Sequence, residues 1–322
     1  MAIKVAFIGS GGIAGYHLSH LEKIQDVQLV GFCDVQADRA KARAKQYKAK
    51  AYADHRKMLD ATRPDAVYVC TPPFAHGQFE LDAVARGCHL FVEKPIATTM
   101  ETALQIRDAI AKAGVVSAVG YQDRYQDIIA KLRLILRKHK IATAMGYWMG
   151  GMPGVAWWRV KAQSGGQHTE QTTHIFDMMR YLFGEVRTVY AAASRGLMTA
   201  VPNYDVEDVS AATLVFQDGL VATVYSACCL KAGGKCGIDI FCTDCRIEYV
   251  ERQSVTTREA ARTEEIRNVA DYGQAIDETF IAAVRTKGKE DNVLSPYADA
   301  CKSLALSLAV DRSLASGQPV EV

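Results

Sequence analysis

Between Ile3 and about Gly120 the chain alternates short apolar, β-branched runs with longer stretches in which apolar positions recur at helical spacing. This pattern predicts strands at Ile3 to Ile8, Gln28 to Cys33, Ala66 to Cys70, His89 to Val92 and Val115 to Val119. Helices are expected near Ile13 to Lys23, Ala37 to Tyr47, Gly77 to Arg86 and Met100 to Lys112. Strand and helix in alternation imply βαβ units and a doubly wound parallel sheet. Beyond Gly120 the rhythm changes. Val209 to Phe216 and Leu220 to Ala227, joined by Gln217, Asp218 and Gly219, predict a hairpin with an Asp-Gly turn, so this half reads as α+β around an open, mostly antiparallel sheet. The expected domains are 1–120 and 121–322. The basic cluster in Lys131 to Lys140 lies on a predicted helix whose apolar face is Ile128, Leu132 and Ile135, and reads as a solvated face.

Composition narrows the class of partner. Across 322 residues, 38 basic side chains nearly balance 36 acidic ones, for a net charge of +2. That balance gives no bulk attraction to nucleic acid or to an acidic membrane surface, and a small-molecule partner is expected. No apolar run approaches the roughly 18 to 20 residues of a membrane span. The opening MAIKVAFIGSGG enters a strand pattern without a charged region, apolar region and cleavage site in series, so a cytoplasmic protein is expected. Nine scattered cysteines do not form a disulfide framework, and reduced thiols are expected.

The segment VAFIGSGGIAG sets Gly9, Gly11 and Ala14 in the pattern G-x-G-x-x-A, with Gly12 and Ile13 inside it, between a predicted strand and a predicted helix. A first glycine permits the tight turn, a second admits a pyrophosphate close to the backbone, and a small third residue lets helix pack on strand. The unpaired amides at the helix start attract phosphate. Asp34 follows the second strand, 23 residues after Gly11, where a carboxylate accepts hydrogen bonds from ribose hydroxyls and repels a ribose phosphate. The expected cofactor is NAD; Arg39 nearby keeps NADP open.

VCTPPFAH at Val69 to His76, EKP at Glu93 to Pro95, GYQDRY at Gly120 to Tyr125 and a later helix with Glu170, His174 and Asp177 follow that fingerprint in order. Together with the carboxy-terminal LSPYADACKSLALSLAVDRSLASGQPVEV, they make the chain resemble, over its whole length, the Gfo/Idh/MocA family of nicotinamide-dependent oxidoreductases. The resemblance implies a Rossmann-type first domain. It places Thr71 and Pro72 against the cofactor in the loop after Cys70, His76 at the following helix start, and Glu93 and Lys94 in the crevice at the end of the next strand. It also implies a cis Lys94–Pro95 bond, a sugar or polyol substrate, and a dimer or tetramer.

SGGQHTEQTTHIFDMMRYLFG predicts one helix from near Gln167 to before Gly184, on which Glu170, His174 and Asp177 stand within roughly 60° of one another. Ile175, Met179 and Leu182 form the expected core face on a different side. His174 is expected to accept the proton of a substrate hydroxyl while hydride leaves for the nicotinamide. Glu170, where the family commonly has Asp, would orient it, and Lys94 would hydrogen-bond the same substrate oxygen. Asp177 borders the substrate or plays a structural part.

Trp157, Trp158 and Arg159 precede that helix in a glycine-rich loop; the indoles suit a sugar face or a core equally well. Tyr121 and Arg124 are expected at the cleft, with a domain-joining ion pair as the alternative for Arg124. Cys242 and Cys245 have the spacing of a zinc knuckle, but alternating strands on either side favour a plain hairpin. His168 to Glu170 offers metal-like ligands without a convincing third and fourth, so no metal is expected. A glycosidase that uses NAD transiently and a dinucleotide-binding regulator remain alternatives. A regulator has no need of Lys94, Glu170 and His174 together.

Overall fold

The computed structural model describes residues 2–290 and 292–322, and the chain forms two compact units. The first comprises the chain up to Tyr125 together with Asp271–Cys301; the second comprises Gln126–Ala270 and Lys302–Val322. The expected architecture, α/β followed by α+β, is the one adopted. The expected boundaries differ: residues 271–301 return to the first unit, where a continuous second domain of 121–322 was expected.

The first unit is built on a parallel sheet of β1 (Ile3–Ile8), β2 (Val27–Cys33), β3 (Lys50–Tyr52), β4 (Ala66–Val69), β5 (His89–Val92) and β6 (Ser117–Val119), in the order β3-β2-β1-β4-β5-β6. The order reverses between β1 and β4, the switch point at which open α/β sheets bind their ligands. β1 pairs in parallel with both β2 and β4, and Val5, Ala6 and Phe7 on it have no exposed surface. Register sets Phe32, Phe7, Tyr68 and Phe91 side by side on β2, β1, β4 and β5. Their rings stack 5.7, 4.9 and 4.6 Å apart. Phe280, from the helix Tyr272–Arg285, closes the row edge-on, 5.6 Å from both Tyr68 and Phe91. That packing accounts for the return of residues 271–301: an apolar helix face records that it is buried, not which sheet buries it.

Strand β3 and the helix His55–Thr62 have no counterpart in the sequence reading. Lys50, Ala51 and Tyr52 form a three-residue edge strand without an apolar run, and the helix buries only Met58 and Leu59. Both signals fall below what periodicity can detect.

The second unit carries β7 (Ile141–Met149), β8 (Val186–Ser194), β9 (Val209–Phe216), β10 (Val221–Ala227), β11 (Lys235–Cys242), β12 (Cys245–Val250), β13 (Ser254–Glu259), β14 (Thr263–Arg267) and β15 (Val320–Glu321). They form one sheet in the order β14-β13-β12-β11-β7-β10-β9-β8-β15; β10 and β7 pair in parallel and the other neighbours antiparallel. The expected Asp-Gly hairpin joins β9 to β10, with Gly219 at φ +94 and Asp218 accepting from the Leu220 amide at 3.0 Å. Helices Asp127–Leu136 and Thr173–Phe183 supply Ile128, Leu132, Ile175 and Met179 to its core. Among the described residues no helix is long and apolar enough to cross a membrane.

Candidate functional site

The glycine loop lies directly beyond β1. Gly9 has φ +89, and a Cβ there would sit 2.2 Å from the Cys70 carbonyl oxygen, so the protein's own packing demands glycine. At Gly11 and Gly12 a Cβ would meet nothing within 4 Å. Packing makes no demand at these two positions; close approach of a ligand would. Ala14, one turn into the helix Gly12–Leu21, is fully buried, and Ile13 is 40 % exposed. Asp34, at the end of β2, accepts from the Ser10 amide at 2.8 Å and from the Gln36 amide at 2.8 Å, which aims its carboxylate at the glycine loop. Arg39 is exposed on the helix Ala37–Gln46. The sequence reading missed Arg43, one turn further along: its Nη2 lies 3.5 Å from the Gly11 carbonyl and covers Gly15, where a Cβ would touch it at 2.4 Å. The i, i+4 spacing from Arg39 was the available signal.

On the loop after β4, Thr71 Oγ1 is buried without a hydrogen-bond partner, and Pro72 leads into the short turn Pro73–Ala75. His76 turns inward. Its Nδ1 meets Glu80 Oε1 at 2.5 Å, while Glu80 Oε2 accepts from the Gly77 amide at 2.7 Å.

At the end of β5, Glu93 is buried and Lys94 partly exposed, and the Lys94–Pro95 bond is cis, as the resemblance implied. Glu93 Oε1 accepts from His17 Nε2 at 3.0 Å, and Oε2 from the Lys94 amide at 3.1 Å. Gly120 makes room for this carboxylate, since a Cβ there would lie 2.3 Å from Oε1. Because every strand of the sheet runs parallel, the loops after β1, β2, β4 and β5 share one edge. Tyr121 is 2 % exposed. Arg124 requires a correction: its guanidinium is committed inside the first unit, to Asp299 at 2.6 Å and the Leu294 carbonyl at 2.7 Å, and it is 4 % exposed, so it offers no free face to a substrate.

In the second unit the expected single helix is two. Gly166–Glu170 ends at a bend through Gln171 and Thr172, and Thr173–Phe183 starts anew. The amides of Gln171 and Thr172 both bond the Gln167 carbonyl at 2.9 Å, and His174 bonds Gln171 in place of Glu170. Thr169, Thr172 and Thr173 crowd this stretch with β-branched side chains, and Thr172 Oγ1 turns aside to Ser226 at 2.9 Å. Glu170 and His174 therefore do not stand on one continuous helix face. Ile175 and Met179 lie in the core of this unit and Leu182 packs against it, as expected, but burial extends beyond that face to every residue from Thr173 to Arg180.

Within this unit Glu170 Oε2 accepts from Trp158 Nε1 at 2.7 Å. Trp158 has no exposed surface and packs with Val206 and Cys228, which rules out an indole face for a sugar ring; Trp157 and Arg159 are partly exposed. The His174 imidazole is 6 % exposed and stacks on Trp148, ring centres 5.5 Å apart at 18°. Asp177 is buried and accepts from Ser303 at 2.6 Å, and Ser303 in turn accepts from Arg180 at 2.6 Å, which gives it a structural part.

Cys242 and Cys245 flank a two-residue hairpin turn between β11 and β12, and burial, with the neighbouring thiol, pushes Cys242 up to about 12. Near them His139 Nδ1 already meets Asp244 at 2.9 Å. His168 does have carboxylates nearby, Glu207 and Asp311, but Lys161 Nζ sits 2.9 Å from each and supplies the cation.

Residues 3–121 match the family described as an oxidoreductase family with an NAD-binding Rossmann fold, Gfo/Idh/MocA, and residues 139–248 match the Gfo/Idh/MocA C-terminal domain. The uncharacterized oxidoreductase YrbE of Bacillus subtilis is 24 % identical over 99 % of this chain and 96 % of its own length. The D-glucoside 3-dehydrogenase of Escherichia coli is 31 % identical over 69 % of this chain and 66 % of its own length. Among solved structures, levoglucosan dehydrogenase in complex with NADH superposes with a TM-score of 0.86 at 20 % identity, covering 100 % of this chain and 99 % of that one. The chain belongs to the Gfo/Idh/MocA oxidoreductase family, and residues 3–121 are its NAD-binding Rossmann fold.

Proposed function

We propose that the protein is an NAD-dependent dehydrogenase that oxidises one CH–OH carbon of a sugar, a cyclic polyol or a close derivative. The adenosine ribose would bond to Asp34 and the pyrophosphate would lie over Gly11, Gly12 and the helix start. The nicotinamide supplies the hydride acceptor when bound. His174, held flat against Trp148, takes the hydroxyl proton as the carbon gives up its hydride, so a carbonyl forms and charge balances. The Lys94 ammonium donates to the same oxygen and stabilises the charge that develops there. Glu170, whose carboxylate accepts from Trp158 Nε1, is assigned the orienting of that imidazole. Trp157 and Arg159 are the remaining candidates to border the substrate, with Tyr121.

The observation that carries this reading is the placement of Lys94 at the carboxyl end of β5, on the same sheet edge as the glycine loop after β1 and the Thr71–Pro72 loop after β4. The substrate class is supported by relatives named for a D-glucoside and for levoglucosan. We further read the protein as a homodimer or homotetramer in the cytoplasm, a setting that suits nine cysteines scattered without the spacing of a disulfide framework.

A panel of sugars, polyols and sugar acids, followed by NADH absorbance, tests the reaction. At least one should give net NADH. In Lys94→Ala and His174→Ala turnover should fall about 10²- to 10⁴-fold with NAD affinity little changed. Near-wild-type turnover in both variants would remove the assignment. Sugar release without NADH accumulation would replace it with the glycosidase.

A further inference from the structure

A buried chain of charges runs behind Lys94, and nothing in the reaction as described uses it. It lies wholly inside the first unit. Asp277, on the helix Tyr272–Arg285, is fully buried and accepts three donors: His17 Nδ1 at 2.9 Å, His20 Nδ1 at 2.8 Å and the Tyr68 hydroxyl at 3.0 Å. So many donors hold its carboxyl below the usual range despite burial. His17, 1 % exposed on the helix behind the glycine loop, has Asp277 on one ring nitrogen and Glu93 Oε1, 3.0 Å away, on the other. A carboxylate accepts and cannot donate, so a ring between two of them needs a proton on both nitrogens. Burial alone would lower the imidazole; Asp277 first and Glu93 second outweigh it and raise His17 to about 10. Glu93 spends its other oxygen on the Lys94 amide at 3.1 Å, in a space that exists because residue 120 is glycine.

We propose that His17 is a positioning residue: its imidazolium, clamped by Asp277, locks the Glu93 carboxylate and thereby the backbone from which Lys94 projects to the reacting oxygen. This rests on the reading of Lys94 given above. Fold stability alone gives little reason for such a chain at this place. Ala14, Leu18 and Leu21 on the same helix are buried apolar residues, and replacing buried ionic groups by apolar side chains of similar volume is often neutral or stabilising. What the ions add is direction. The two hydrogen bonds on Glu93 fix its carboxylate plane at the one point where the strand gives way to the ligand edge, and small displacements of a catalytic group are costly.

Three measurements test it. Nitrogen chemical shifts of the wild-type His17 ring at pH 8 should show both nitrogens protonated, where an ordinary imidazole with a pKa near roughly 6.5 is neutral. In His17→Gln, kcat should fall by about tenfold or more with KM for NAD changed less than about threefold, and in the double variant with Lys94→Ala the second change should add little. Gly120→Ala leaves the His17–Asp277 contact in place, displaces Glu93, and should reproduce the kcat loss; it also keeps the test alive if His17→Gln fails to fold. A neutral ring at pH 8, or wild-type kcat in whichever of His17→Gln and Gly120→Ala fold while Lys94→Ala is inactive, overturns the inference and leaves the reaction standing. Full activity in Lys94→Ala would instead remove the reading beneath it.

Discussion

Three glycines in one loop answer to two different constraints. Gly9 is required by the protein, because its positive φ and the Cys70 carbonyl at 2.2 Å exclude any Cβ. Gly11 and Gly12 face open space, so only a ligand would notice a methyl group there. Gly9→Ala should therefore lower unliganded stability by about 1–3 kcal/mol in urea unfolding, through backbone strain and a steric clash. Gly11→Ala should leave that transition within about 0.5 kcal/mol and weaken NAD binding at least tenfold by titration. Equal effects of the two changes on unliganded stability would contradict the distinction. Sequence spacing exposed the motif but could not sort its members, since a clash with residue 70 depends on how β4 lies beside β1.

Elements were legible where their signal was local and strong. The strand expected at Ile3 to Ile8 forms with those bounds, and the helix expected at Met100 to Lys112 forms as Met100–Ala113, where the structure adds a Thr99 cap and a left-handed Gly114 at its end. The helix through Glu170 and His174 was misread for a physical reason. Its period continues across Gln171 and Thr172, but the Thr172 hydroxyl finds a tertiary partner in Ser226 and the backbone bends. The helix Tyr272–Arg285, which the sequence analysis did not single out, packs with the first unit although it follows the strands of the second in the chain. Phe280 has no exposed surface and closes the aromatic row on β4 and β5. Phe280→Ala should cost about 3–5 kcal/mol, seen as a lower denaturant midpoint. A change below about 1 kcal/mol would show that the helix contributes little to that core.

For the molecule as a whole, the residues proposed to hold the ribose and the pyrophosphate, Asp34, Gly11 and Gly12, all lie in the first unit, so ligand binding should appear as stability. NAD at about 100 times its Kd should add about 2.7 kcal/mol, a rise in Tm of roughly 5–10 °C for a unit of this size. NADP at the same concentration should do markedly less, because Asp34 is pinned toward the glycine loop and repels a ribose phosphate. A larger shift with NADP would assign Arg39 and Arg43 to the phosphate and reverse the preference. The sequence alone determined the strand–helix alternation, the glycine loop, Asp34 and the Glu93–Lys94 pair, because periodicity, turn sterics and strand ends are properties of neighbouring residues. Only the tertiary structure decided that Asp277 reaches His17 across 260 positions, that Trp158 and Arg124 are spent on internal partners, and that residues 271–301 belong to the first unit. Those outcomes depend on which distant side chain fills or charges a given space, and that information resides in the packing.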